Sequence, residues 1–405
     1  MIASPGPGSS GDRGSVAFLF LGELFLIPHL LPIAVALARL PSPPRITLFV
    51  ITSVHEEILA EALARLGLGD VAIRRARGFR RLPAGSREMP TLPSKLAILL
   101  LNASAVLHHD VAVVAERTSL WLPRLAHRGA AFVYNEHGAG PHANFASPRN
   151  RHAARILMPG VGMAERVRAS GHRDAPIATV GYIKRDFLRE CRGVEGAPRF
   201  AEVRPTVVYV PHWLRCKSSW WAAGEQVLDH FARSPTYNLV LAPHMRLPHV
   251  DPDFERRVAP YRGCPNIHVD SGSFSLVDQS YVDAADIYLG DGSSQVLEFA
   301  EHPRPAIFLN PDRIAWAADP RFSHWSMGEV VEDVAELDAA LARAPLAHSR
   351  YAAVQHAYVQ RMMGADDGQA SKRAAQVVLD VLAERRLRPR RDAQPTTSHS
   401  ATGTR

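Results

Sequence analysis

Cysteine is scarce. The chain has three, Cys191, Cys216 and Cys264, with no CxxC pair among them. A disulfide framework and a structural zinc site are thereby excluded, and the usage suits a reducing cytoplasm. Aromatic residues make up 7% and are dispersed, so the chain lacks the basic face interleaved with stacking rings that a nucleic-acid partner needs. No apolar run is long enough to span a bilayer. The best candidate, residues 15–40, is interrupted by Glu23, Pro28, His29 and Pro32, and no small-residue cleavage site follows it, so no signal peptide is expected. GxxxxGK[ST] and HExxH are also missing. Gly290-Asp291-Gly292-Ser293-Ser294 is not a GxSxG nucleophile elbow, because Asp291 stands between the glycines.

What is present describes a globular protein of two domains: 405 residues, 46% apolar and 21% charged. The net charge of +7 permits an anionic partner, but much of it lies in the C-terminal tail. Short apolar runs alternate with amphipathic stretches, which predicts βαβ units and a mostly parallel sheet. The first series of strands is expected at Val16–Leu21, Ile46–Thr52, Val71–Arg75, Asp110–Ala115, Ala131–Tyr134, Arg155–Met158 and Ile177–Val180. A second series begins at Thr206–Val210 and continues through Tyr237–Leu241, Ile267–Val269, Ala285–Leu289 and Ala306–Leu309. The domains predicted are a disordered 1–14, an N-terminal unit 15–186, a linker 187–204, a C-terminal unit 205–386 that includes the last helices, and a disordered basic tail 387–405. The fold class is α/β, with two Rossmann-like domains facing a cleft and closing C-terminal helices. In such sheets ligands bind beyond the carboxyl ends of the strands.

The stretch 281–309, YVDAADIYLGDGSSQVLEFAEHPRPAIFL, carries the strongest signal. A strand breaks at Gly290-Asp291-Gly292, and Ser293 and Ser294 open a helix expected to run towards His302. Backbone N–H groups, two hydroxyls and a helix dipole suit a phosphate there, while Glu298, one turn on, could accept hydrogen bonds from ribose hydroxyls. A plain serine N-cap is the bland alternative. Elsewhere, strand ends deliver Glu136 and His137 before a Gly/Pro turn, with His142 nearby. An imidazole at such a place suits a general base, with Glu136 to orient it or act itself. Strand ends also deliver Pro243-His244-Met245-Arg246, a cationic or hydrogen-bonding pair for a diphosphate, and His212, Arg215 and Lys217, a candidate phosphate loop. Gly181-Tyr182-Ile183-Lys184-Arg185-Asp186 would line a donor site or serve as a hinge.

Together these stretches resemble the CDP-glycerol glycerophosphotransferase family, the teichoic-acid primases and polymerases and their relatives. DIYLGDGSSQVLEFAEHPRPAIF is similar to the family's D-x-hydrophobic-x-T-D-Y-S-S…(D/E)F…RP block. Asp291, Ser293, Ser294, Glu298, Arg304 and Pro305 are in place, while Gly290 and Gly292 replace its Thr and Tyr. Asp367-Gly368, Ala370-Ser371 and Arg373 resemble its D-G-x-A-S-x-R helix start. Glu136-His137-Gly138 is similar to its (W/Q)-H-G turn, without the Thr-Pro-hydrophobic-Lys sequel. Gly181-Tyr182…Arg185-Asp186 resembles G-x-P-R-x-D without the proline, Tyr209-Val210-Pro211-His212-Trp213 resembles Y-A-P-T-W-R, and Pro243-His244 resembles L-H-P in altered order.

The resemblance implies a GT-B-type fold and a transferase moving glycerophosphate, or a similar group, from a CDP-activated donor to an acceptor hydroxyl in bacterial surface-polymer synthesis. It implies His137, Glu136 and His244 as catalytic residues. Donor binding would fall to Ser293, Ser294, Glu298, Asp291, Arg246, Arg304, His212, Arg215, Lys184 and Arg185. No metal or other cofactor is expected. The partners expected are CDP-glycerol or another nucleotide-activated donor, a polymer or lipid-linked acceptor, and an anionic membrane surface at the inner face of the cell membrane. Glycosyl transfer from a nucleotide sugar and non-catalytic nucleotide binding stay open as alternatives.

Overall fold

The structure is a computed structural model that describes residues 13–83, 92, 94–125, 129–141, 147–193, 198 and 200–387. The expected disorder of the termini therefore falls largely outside the described residues, as does His142. No described helix is long and apolar enough to cross a membrane.

The N-terminal strands are β1 Ser15–Phe20, β2 Arg45–Thr52, β3 Ala72–Arg80, β4 Val111–Val114, β5 Ala131–Asn135, β6 Arg155–Met158 and β7 Ile177–Thr179. They form one sheet in the order β3-β2-β1-β4-β5-β6-β7, every pair parallel. Strands β8 Thr206–Val210, β9 Asn238–Leu241, β10 Ile267–Val269, β11 Ile287–Gly290, β12 Ala306–Leu309 and β13 Glu329–Val331 form a second parallel sheet, ordered β10-β9-β8-β11-β12-β13. Central strands such as Ser15–Phe20 are buried along their whole length. They read as unbroken apolar runs because helices cover both faces. Each sheet reverses its winding once, at β1/β4 and at β8/β11, and a doubly wound sheet opens a crevice at that point.

Sequence and structure differ in four places. The sequence predicts the first helix at about Leu31–Leu40, after a loop carrying Glu23, but it spans Ile27–Ala38: Pro28 sits in its first turn, where no N–H is needed, and Pro32 is accommodated inside it at the loss of one hydrogen bond. The Arg-, Gly- and Pro-rich stretch 76–91 reads from the sequence as an irregular excursion, but strand β3 continues into it as far as Arg80. Strand β13 was not predicted, because three residues on a sheet edge carry too little pattern to read. The last helix, Ala370–Leu387, does not belong with the C-terminal unit. It packs on helix Ile27–Ala38 and on β4, β5 and β6, Arg385 donates to the Gly129 carbonyl at 2.7 Å, and Leu382 lies against Gly14.

The Gly181–Asp186 segment is a clamped junction. Lys184 pairs with Glu298 at 2.7 Å, Arg185 with Glu301 at 2.9 Å, and Asp186 accepts from both the amide and the hydroxyl of Ser371 at 2.6 Å. Gly181 has φ +99°, and a Cβ there would stand 2.8 Å from Arg373 and 3.0 Å from Ala370, so the helix start could not approach any other residue this closely. Arg373 in turn donates to the Val180 carbonyl and pairs with Asp367.

Candidate active site between the two sheets

The two crevices face each other across a cavity of about 280 Å³. Its walls are loops from the carboxyl ends of β1, β4 and β5 on one side and of β8, β9 and β11 on the other. Nine of the predicted residues come together here: Glu136 and His137 on one wall, His212, His244, Ser293 and Ser294 on the other, with Arg246, Lys184 and Glu298 also in the lining. The loops approach closely at Gly140, where a Cβ would stand 2.6 Å from the Cβ of Ser294 and 3.2 Å from its Cα.

The three histidines differ in their backbone contacts. Nδ1 of His137 faces the Ala115 carbonyl at 2.8 Å, so it must carry a proton and donate it, which leaves Nε2 bare. Nδ1 of His212 accepts from the Leu214 amide at 3.0 Å, and Nδ1 of His244 from the Arg246 amide at 3.2 Å. Their protons therefore sit on Nε2. His137 is configured as a base, and His212 and His244 as hydrogen-bond donors. Burial holds all three below the ordinary histidine range, His212 at about 3 and His244 well below. His212 and His244 lie 5.5 Å apart by ring centroids beside Trp213, and Phe25 stacks on His137 at 4.7 Å.

Glu136 does not orient His137. It is ion-paired with Arg117 and accepts from the Tyr134 hydroxyl at 3.3 Å. Arg246 reaches across the cleft to Glu23, with N–O distances of 2.7 and 2.9 Å, and lies over the Trp213 ring at 5.2 Å. Glu23 shares Lys95 with Glu116. Burial opposes the charge on Glu23, but Lys95 and Arg246 outweigh it and bring the carboxyl down to about 2, whereas burial pushes Glu116 up to about 7.

Ser293 and Ser294 keep their place but not by the expected mechanism. The helix after them is five residues, Gln295–Phe299, and Ser294 makes no capping bond with its side chain. So short a helix has little dipole; what the turn offers is hydroxyls and backbone N–H groups.

Four residues expected to bind the donor, Asp291, Arg304, Arg185 and Arg215, do not line the cavity. Asp291 is buried and does not line the cavity; its carboxylate accepts from the amides of His212, Ser219 and Gly292 and from the Ser219 hydroxyl, at 2.6–2.9 Å. Burial raises it to about 6, against those hydrogen bonds. It ties the β8 loop to the β11 loop. Arg304 donates to the carbonyls of Val282, Asp283, Ala285, Phe299 and His302, a brace for the β11 region. Arg185 is spent on Glu301 and the Gly364 carbonyl. Arg215 is exposed and lies over Trp221 at 5.9 Å. Lys184 and Glu298 line the cavity but neutralise each other, and the Tyr182 hydroxyl holds the second oxygen of Glu298 at 2.6 Å. A ribose contact by Glu298 would share that carboxylate with two partners.

Residues missed in the sequence are Phe25, His29, Arg117, Trp213 and Gln295, all lining the cavity, and Glu23 with Lys95 behind Arg246. Glu23 follows β1 and Arg117 follows β4, so the strand-end rule that found His137 could have found them too.

Residues 270–380 match the family model CDP-Glycerol:Poly(glycerophosphate) glycerophosphotransferase. No curated protein sequence matches the chain. In fold it is similar to a putative UDP-N-acetylglucosamine 2-epimerase from Listeria monocytogenes, with 14% identity over 91% of this chain and 96% of that one and a TM-score of 0.62. It is equally similar to the wall teichoic acid polymerase TagF in a variant soaked with CDPG, with 15% identity over 93% and 90% and a TM-score of 0.62. MnaA of S. aureus, in a co-structure with UDP, gives 12% identity over 91% and 97%, also at 0.62. The matched segment contains the Asp291–Pro305 block and the Asp367–Arg373 helix start, and it lies within a chain whose fold is of the GT-B type.

Proposed function

We propose that the chain transfers a glycerophosphate-like group from a CDP-activated donor to an acceptor hydroxyl during the synthesis of a bacterial surface polymer. The observation that carries this reading is the opposition of a bare imidazole nitrogen on one wall, at His137, to a phosphate-binding set on the other, at Ser293, Ser294, His212 and His244. The acceptor O–H gives its proton to Nε2 of His137. Its oxygen forms a bond to the β-phosphorus as the bridging bond to the α-phosphate breaks, and CMP leaves with that electron pair. Neutral N–H donors and Arg246, released from Glu23, stabilise the charge developing on the phosphoryl oxygens. His244 is thus a donor-side group and not a second base.

The family match and the similarity to TagF support the CDP-linked donor. The equal similarity to UDP-N-acetylglucosamine 2-epimerases favours a nucleotide sugar as the second reading. Protein groups supply the charge on this account, so turnover is expected to survive EDTA. The test is thermal stabilisation of the purified chain by CDP-glycerol, other CDP-polyols and UDP-sugars, followed by CMP release with a hydroxyl acceptor. Stabilisation and turnover with UDP-sugars alone would reject the phosphotransfer reading.

A further inference from the structure

Helix Ile27–Ala38 carries one polar side chain, His29; every other residue of IPHLLPIAVALA is apolar. His29 is 5% exposed and lines the same cavity as His137. The two imidazole rings lie 6.2 Å apart by centroids, and the Tyr182 ring meets His29 edge-on at 5.5 Å. The side-chain amide of Asn135 donates to the His29 carbonyl at 2.9 Å. Asn135 ends β5, two residues before His137, so one strand end places both imidazoles.

Nδ1 of His29 is buried with no hydrogen-bond partner, the only such nitrogen among the described residues that line the cavity. A leucine of similar size would relieve the fold of an unpaired polar group at this position. Burial, with His137 and Lys184 nearby, holds the ring well below the ordinary histidine range, so it is neutral and has a single N–H. Orphaned buried N–H groups are rarer in folded proteins than orphaned acceptors. That preference puts the proton on Nε2, the nitrogen the ring can present to the cavity.

We propose that His29 is an acceptor-binding residue, whose Nε2–H holds a second oxygen beside the hydroxyl that His137 deprotonates. The assignment rests on the phosphotransfer reading above. The wall around His29 is neutral: Phe25 stacks on His137, and Arg117 is paired with Glu136. A neutral N–H donor beside an aromatic ring suits an uncharged polyol or sugar unit, and two rings this close reach two oxygens of one such unit. His29 thus selects acceptors with neighbouring hydroxyls and fixes which of them meets Nε2 of His137.

Transfer from CDP-glycerol is followed as CMP release, with glycerol as an acceptor bearing neighbouring hydroxyls and methanol as one bearing a single hydroxyl. His29→Leu and His29→Phe, the second keeping a flat ring, should lower kcat/KM for glycerol about fivefold, the worth of one neutral hydrogen bond. Both should leave kcat/KM for methanol and the donor Kd unchanged. His29→Gln, whose amide N–H reaches the Nε2 position, should stay within about twofold of the wild type. Tm should not fall in the apolar variants, because they remove an unpaired buried group. An unchanged kcat/KM for glycerol, an equal loss with methanol, or a fall in Tm that His29→Gln reverses would each overturn the assignment and leave the transfer reaction standing. No CMP release by the wild type with either acceptor would overturn the proposed function and this assignment with it.

Discussion

Nδ1 of His137 and the carbonyl oxygen of Ala115 stand 2.8 Å apart, and that contact decides which ring nitrogen is free to take a proton. Ala115 directly follows β4 and His137 is the second residue after β5, so two neighbouring strands set the tautomer. His137→Gln should lower kcat by about 10²–10⁴-fold and leave donor affinity, measured by calorimetry, close to wild type. Equal losses in both would make His137 a binding residue.

The same residue fixes a pH profile. A base acts when unprotonated, and burial moves His137 below the ordinary value of 6.5. The rate, as kcat/KM, should be level above that value and fall on the acid side. A limb that still rises above pH 7 would contradict the assignment.

His244 predicts the converse kinetics. If, as proposed, its Nε2–H is offered to the donor, His244→Ala should weaken donor binding by roughly tenfold, the worth of one hydrogen bond to a charged group. The double variant with His137→Gln should show the two effects multiplied. Turnover retained in the double variant would remove both histidines from the mechanism.

Arg304 separates support from ligand contact. Five carbonyls receive its guanidinium, and a lysine cannot span them. Arg304→Lys should destabilise the fold by about 1–3 kcal/mol, read as a lower unfolding midpoint, while Kd for the donor stays unchanged.

Acid should weaken the fold before it affects most surface charge. Among the described residues burial depresses nine histidines, His29, His55, His109, His137, His212, His230, His244, His268 and His324. The unfolded chain gains protons at these below 6.5 more readily than the folded chain, so they remove stability as pH falls. Asp291, Glu116 and Glu301, raised to about 6, 7 and 7, and Asp278, also raised by burial, act in the opposite direction. With nine groups against four, Tm should fall between pH 6.5 and 5.

The sequence showed the doubly wound plan because central strands such as Ser15–Phe20 are apolar throughout, and it located His137, His212 and His244 because each follows such a strand. It did not show that Arg304 and Arg185 face inward. A guanidinium that binds phosphate and one that binds carbonyls are the same letter, and only the surroundings distinguish them. Glu298 was found, but its neutralising partner Lys184 is 114 residues away, a pairing that no local pattern encodes. The last helix was assigned to the wrong domain for the same reason: its apolar face, at Ala374, Val378 and Val381, names no partner.

That helix has a consequence for how the molecule can move. The chain passes from the first sheet to the second after β7 and returns before Ala370, so the second Rossmann unit is topologically an excursion from the first. Two strands of chain, clamped to each other through Asp186 and Ser371, replace a single tether. Cleavage within 187–204 should therefore leave both halves associated, and opening should follow a swing about one axis, not free tumbling. A fragment ending at Met363 would strip the cover from helix Ile27–Ala38 and cost the first domain more than the second.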